Sequence, residues 1–107
     1  MSVNGLTKMT KIEVVVAGEH VPAVREQFRS AGTTGFTSVS GVSGLGHHGY
    51  HQGRLLFNQQ AALELLISVV PQTKSEALIA GLRRLLDDTP GVMFVTDTYV
   101  SRPEYFG

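Results

Sequence analysis

Four glycines, three histidines, a tyrosine and an arginine crowd into residues 44–54: Gly44, Gly46, His47, His48, Gly49, Tyr50, His51, Gly53 and Arg54. Glycines at this density let successive main-chain N–H groups converge without Cβ obstruction, and such concave nests bind anions, phosphates included. The same residues equally suit a stretch that only has to turn. Gly41 stands just before the cluster, and Gly35 and Gly91 stand apart from it at the starts of two β-like runs. No G-x-x-x-x-G-K-[ST] run occurs, so the phosphate chemistry of a P-loop is excluded. Gly44-Leu45-Gly46-His47-His48-Gly49 has the form G-x-G-x-x-G. No helix follows it, and the connection is wrong for a dinucleotide-binding crossover.

His47 and His51 are four residues apart, the spacing that puts two metal ligands on one helical face. Gly46, Gly49 and Gly53 argue against a helix there, and no neighbouring Asp, Glu or Cys completes a ligand set. A histidine loop that binds metal is thus the alternative reading, and solvated or phosphate-contacting histidines are the main one. No metal and no cofactor are expected. Nucleophilic catalysis has little to work with: Ser43 lies near His47, but no G-x-S-x-G elbow is present. Asp87 and Asp88 sit at a helix end, where they are expected to stay solvated. The chain is not expected to be an enzyme. Arg102 is followed at once by Pro103. A guanidinium fixed at a strand end can hold a phosphate bidentately; the other reading is a surface arginine paired with Glu104. Arg54 is placed to close over a ligand.

The elements that must position these groups are legible from hydrophobic pattern. Residues 1–10 read as a flexible tail and 11–107 as one domain. Lys11 to Ala17 is a β-branched run expected to be a strand. Val21, Val24, Phe28 and Ala31 fall on one helical face, with Pro22 in the first turn and Gly32 as C-terminal cap. Residues 35–42 read as a second strand, with a bulge or close backbone approach at Gly41. Leu63 to Val70 is a third, stopped by Pro71. Thr73 and Glu76 have capping-box spacing for a helix with Ala77, Leu78, Leu82, Leu85 and Leu86 along one stripe. Thr89-Pro90-Gly91 breaks it, and residues 92–100 form the last strand, with a bend expected at Asp97. The order β-α-β, long loop, β-α-β is the split βαβ pattern of α+β ferredoxin-like folds: two helices on one face of a four-stranded antiparallel sheet. The strands are apolar on both faces, so the second face also needs cover, which other subunits could supply.

Composition sets the outer limits. The chain has 107 residues, with nine basic and nine acidic side chains and no cysteine. Zero net charge argues against nucleic-acid or membrane-surface binding. The lack of thiols excludes disulfides and Cys-ligated metals. No run approaches the ~18–20 apolar residues of a membrane span, and no secretory leader is read at the N-terminus, so a cytoplasmic protein is the expectation.

The residues resemble a known family. Lys11-Ile12-Glu13, Gly32-Thr33-Thr34-Gly35-Phe36-Thr37 and Gly44-Leu45-Gly46 together resemble the PII signal-transduction superfamily, and most of all its PII-like members tied to bicarbonate uptake and carboxysomes. The resemblance spans residues 11–102. It implies a homotrimer with adenine-nucleotide sites between subunits and a T-loop at about residues 44–62. Gly44, Leu45, Gly46 and His47 would wrap the nucleotide, and Gly35, Phe36 and Thr37 would belong to one side of the cleft. Gly91 and Val92 would lie near the phosphates, and Arg102 would reach phosphate from the adjoining subunit. His48, Tyr50, His51 and Arg54 would make the T-loop's effector and anion contacts. Other PII proteins carry a longer loop before the last strand with a G-x-G-K piece. Thr89-Pro90-Gly91 has no lysine, which favours ADP or AMP over ATP. The resemblance further implies bicarbonate as a second ligand and, as partner through the T-loop, a membrane transporter or carboxysome-linked protein.

Overall fold

The computed structural model describes residues 2–33, 35–42 and 62–106. Five strands and two helices run in the order β1 (Ser2–Val3), β2 (Leu6–Ala17), α1 (Val21–Ser30), β3 (Thr37–Val42), β4 (Leu63–Val70), α2 (Gln72–Asp87) and β5 (Gly91–Val100). A 3₁₀ turn, Gly18–His20, joins β2 to α1, and another, Pro103–Tyr105, follows β5. All strand pairs are antiparallel: β2 pairs with β1, β4 and β5, and β4 pairs with β3. The four long strands therefore stand in the order β5-β2-β4-β3, and the α+β ferredoxin-like arrangement is present.

Side-chain alternation decides which face meets the helices. Ile12, Val14 and Val16 on β2 and Leu66 and Val70 on β4 are fully buried against Val24 and Phe28 of α1 and Leu78 and Leu82 of α2. The helical stripes match the sequence pattern except at Ala77, which is exposed. Gly81 takes a buried place on α2, where the Gln27 side chain of α1 comes close. α1 ends in a Schellman cap: Gly32 N–H donates to Arg29 O at 3.0 Å, Thr33 N–H donates to Phe28 O at 3.1 Å, and Gly32 has φ +79°.

Three local expectations fail. Residues 1–10 are not a loose tail. Ser2 and Val3 pair with Thr7 and Leu6 around Asn4-Gly5, whose φ values of 51° and 81° suit the tight hairpin turn that this dipeptide favours. Thr73 is no N-cap, because α2 starts at Gln72 with Pro71 preceding it and no side chain capping it. β5 does not bend at Asp97: its register with β2 runs unbroken from Gly91 to Val100, and Asp97 lies 3.5 Å from Lys8 Nζ on the neighbouring strand. The irregularity at Gly41 is as expected, since the β3–β4 register shifts between Ser40 and Val42 and Gly41 has φ +76°.

The face away from the helices carries an apolar patch, with Glu13 of β2 between Ile67 and Phe94 and Lys11 beyond it. Val39, Leu65, Val15 and Val92 share one row across the four long strands, and Ile67 and Phe94 share the next. Val39 is 44% exposed, Val92 49% and Phe94 53%.

Candidate functional site

The predicted site residues fall into two separate half-sites. The first is built by the segment between α1 and β3. Lys74 Nζ of α2 donates to Gly32 O at 2.7 Å, Thr33 Oγ1 donates to Phe28 O at 3.1 Å, and Ser68 Oγ of β4 donates to Gly35 O at 3.1 Å. Phe36 packs on Phe28, with ring centroids 5.4 Å apart, and the Arg25 guanidinium stands 5.6 Å from the Phe36 centroid. Both helices and the sheet thus fix Gly35, Phe36 and Thr37. These three line an open cavity of about 380 Å³ with Ile67 and Val69 of β4 and Tyr105 and Phe106 of the C-terminal turn.

Arg102 belongs to this half. Its guanidinium lies 5.7 Å from the Tyr105 ring centroid, and Nη1 donates to the Tyr105 hydroxyl at 3.4 Å. No ion pair with Glu104 occurs among the described residues. Sequence pattern did not point to Tyr105 or Phe106. Their only signal was an aromatic pair just after the Pro103 break, and the Ile67/Val69 alternation was read as sheet packing.

The second half-site lies where α2 passes into β5. A cavity of about 330 Å³ is lined by Leu86, Asp87, Asp88, Thr89, Pro90 and Gly91. Val92 does not line it; it pairs with Val15 on the open sheet face. Gly91 is required here by packing, because a Cβ would meet Val15 O at 2.8 Å and Val16 Cγ1 at 2.7 Å. The same end of the sheet carries the exit and return of the long connection: Val42 pairs with Leu63, and Gly18 N–H donates to Ala62 O at 3.0 Å. Gly44, Leu45, Gly46, His47, His48, Tyr50, His51 and Arg54, and most of the stretch assigned to the T-loop, lie outside the described residues. Among those described, no three His, Cys, Asp or Glu side chains stand close enough to hold a metal, and no helix is long and apolar enough to cross a membrane.

Within one chain the two halves do not meet. Gly91 pairs with Val16 at one end of β2, and Val100 pairs with Thr7 near the other. Nine residues of strand span ~30 Å, so Arg102 cannot reach a ligand held beside Gly91 in the same subunit. Thr37 lies three strands across from β5 and three residues along, a separation of ~17 Å at ordinary sheet spacings.

The wider comparisons agree with this architecture. No curated protein matches the chain. Among solved structures, CPII of Thiomonas intermedia, a nitrogen regulatory PII-like protein bound to ADP, AMP and bicarbonate, is 35% identical, with a TM-score of 0.82 over 94% of this chain and 95% of that one. The same protein bound to ADP and bicarbonate superposes with a TM-score of 0.81 at 32% identity, over 95% and 97% of the two chains. The GlnK–ATP complex of B. subtilis shares the fold, with a TM-score of 0.61 at 20% identity over 92% and 84%. A family model described as nitrogen regulatory protein P-II matches residues 9–105, and the chain belongs to that family.

Proposed function

We propose that this chain is a PII-like regulator that binds an adenine nucleotide, ADP or AMP in preference to ATP, in clefts between the subunits of a homotrimer. The observation that carries the reading is the division of the site. Gly35 to Thr37 with Arg102 form one wall, Gly91 with the Asp87–Thr89 turn forms another, and one subunit keeps them apart. A neighbour that brings its first wall against the second would complete a cleft between the two subunits. The apolar sheet face supplies the driving force for assembly, since Val15, Leu65, Val39, Val92 and Phe94 would leave water together. The ADP, AMP and bicarbonate held by the Thiomonas relative support the choice of ligand.

Nucleotide at this end of the sheet sits where the segment after Val42 leaves and the one before Ala62 returns. Differential affinity for two arrangements of that segment would let the ligand set which one a partner meets. A partner in inorganic-carbon uptake, a bicarbonate transporter or a carboxysome-linked protein, fits the resemblance, with bicarbonate as co-ligand.

Isothermal titration of the full chain with AMP, ADP, ATP and cyclic AMP, with and without bicarbonate, tests the reading. Micromolar binding of at least one adenine nucleotide is expected. Affinity weaker than ~1 mM for all four, about 4 kcal/mol of binding, overturns it.

A further inference from the structure

Arg102 and Tyr105 are three residues apart, and the chain between them turns as a 3₁₀ helix. Pro103 opens the turn with its fixed φ, Tyr105 N–H donates to Arg102 O at 3.0 Å, and Phe106 N–H donates to Pro103 O at 3.0 Å. In a 3₁₀ turn the side chains at i and i+3 lie over one another. The Arg102 guanidinium accordingly stands over the Tyr105 ring, 5.7 Å from its centroid, and Nη1 donates to the tyrosine hydroxyl at 3.4 Å. Both side chains are exposed, Tyr105 at 63%. Glu104 lies between them in sequence, yet among the described residues it makes no ion pair with Arg102. That choice has a chemical consequence. A carboxylate would neutralise the guanidinium, whereas a neutral ring orients it by its face and leaves the whole positive charge for an incoming anion.

We propose that Tyr105 is a positioning residue, which presets the Arg102 guanidinium in the orientation in which it meets the nucleotide's phosphate across the subunit boundary. The proposal rests on the nucleotide-binding reading above and names what gives its arginine a direction. A long exposed arginine loses rotamer freedom when it grips a ligand. One that already rests on a ring has lost part of that freedom before the ligand arrives, and the preorganisation appears as affinity. An exposed guanidinium–aromatic contact is worth about two- to fivefold in an equilibrium constant, and that is the share of phosphate affinity the ring can supply. Tyr105 also lines the first cavity, so its loss can weaken adenosine as well. The ratio of AMP to adenosine affinity isolates the phosphate.

The test is a double-mutant cycle on the full chain, with AMP and adenosine titrated into the wild type, Tyr105→Ala, Arg102→Ala and the doubly substituted protein. Both residues are exposed and neither belongs to the core, so the variants keep the fold. Tyr105→Ala is expected to lower the AMP-to-adenosine ratio about two- to fivefold when Arg102 is present and to leave it unchanged when Arg102 is alanine. Tyr105→Phe, which keeps the ring and drops the hydroxyl, should restore most of the ratio. An unchanged ratio in Tyr105→Ala overturns the positioning role. So does an equal fall in both backgrounds, which would put the tyrosine itself on the phosphate, and so does a Tyr105→Phe protein no better than Tyr105→Ala. An Arg102→Ala protein with the wild-type ratio also overturns it and leaves nucleotide binding standing. A wild type that binds no adenine nucleotide overturns the nucleotide reading itself, and this proposal with it.

Discussion

Replacing Gly91 by Ala separates a packing requirement from a ligand requirement. The added Cβ would stand 2.7 Å from Val16 Cγ1, 2.8 Å from Val15 O and 3.1 Å from Leu86 Cδ2. Favourable carbon–carbon contacts begin near ~3.5 Å, so all three neighbours would have to retreat. The valine and leucine side chains can shift. The Val15 carbonyl cannot do so easily, because β2 is hydrogen-bonded along both edges, to β4 and to β5. The first residue of β5 must give way instead, and its pairing with Val16 loosens. Overpacking of this kind costs about 1–3 kcal/mol. At about 2 kcal/mol, a chain of this size should lose about 8–16 °C in melting midpoint. The assay is thermal unfolding followed by circular dichroism at one fixed protein concentration, since an oligomer's midpoint depends on concentration. Gly35→Ala is the control: no atom lies within 4 Å of its would-be Cβ, and Gly35 nevertheless lines the first cavity. Its midpoint should stay within the range of surface substitutions, about 0.5 kcal/mol. A Gly91→Ala protein that melts with the wild type, or a Gly35→Ala protein that falls as far, refutes the reasoning.

Arg102→Ala should weaken AMP, ADP and ATP more than adenosine in titration, because the lost group is a cation that meets phosphate; equal losses would place Arg102 against the base or ribose. Phe94→Asp should shift the proposed trimer toward monomer in sedimentation, since each protomer would forfeit about 2 kcal/mol of apolar burial and gain a charge to desolvate; a trimer unchanged by it would remove the open sheet face from the interface. The Arg29 side chain donates hydrogen bonds to the Glu26 carboxylate and holds its pKa below the ordinary value. Stability from this pair is therefore present above the unfolded-state pKa of Glu26 and is lost as pH falls through the lowered folded-state one. In an NMR titration, Arg29→Ala should return Glu26 toward the ordinary carboxylate value, and no movement would deny the arginine that role.

The frame was legible because burial writes itself as period. Ile12, Val14 and Val16 alternate, Val21, Val24 and Phe28 recur every three or four residues, and both patterns survive folding unchanged. What the pattern hid were contacts that no period encodes. The Asn4-Gly5 turn was in plain view, but the strand before it, Ser2–Val3, is too short to show alternation. Pro71 outranked the Thr73 capping signal because proline's fixed φ suits the entry to a helix, so the helix began two residues earlier than the box required. Asp97 looked like a fault in β5 only while Lys8 was thought to lie in a tail. The candidate site was half legible. Gly35, Phe36 and Thr37 line one cavity, Arg102 stands against its Tyr105, and Gly91 lines the other. Tyr105 and Phe106 escaped because they reach Thr37 through a turn after the last strand, a long-range contact without local signature.

Division of the site between two walls ties ligand binding to assembly. A ligand that touches both walls binds only where two subunits meet, so it stabilises the assembled form over the separated one by mass action. In the proposed assembly the coupling would run both ways: weakening the sheet-face interface, as at Phe94, would lower nucleotide affinity although Phe94 lines neither cavity. The same logic explains how a wall with two carboxylates and no cation can serve an anion. In the proposed cleft its positive partner would be Arg102 of another copy of the chain, beside Pro103 with its guanidinium over the Tyr105 ring.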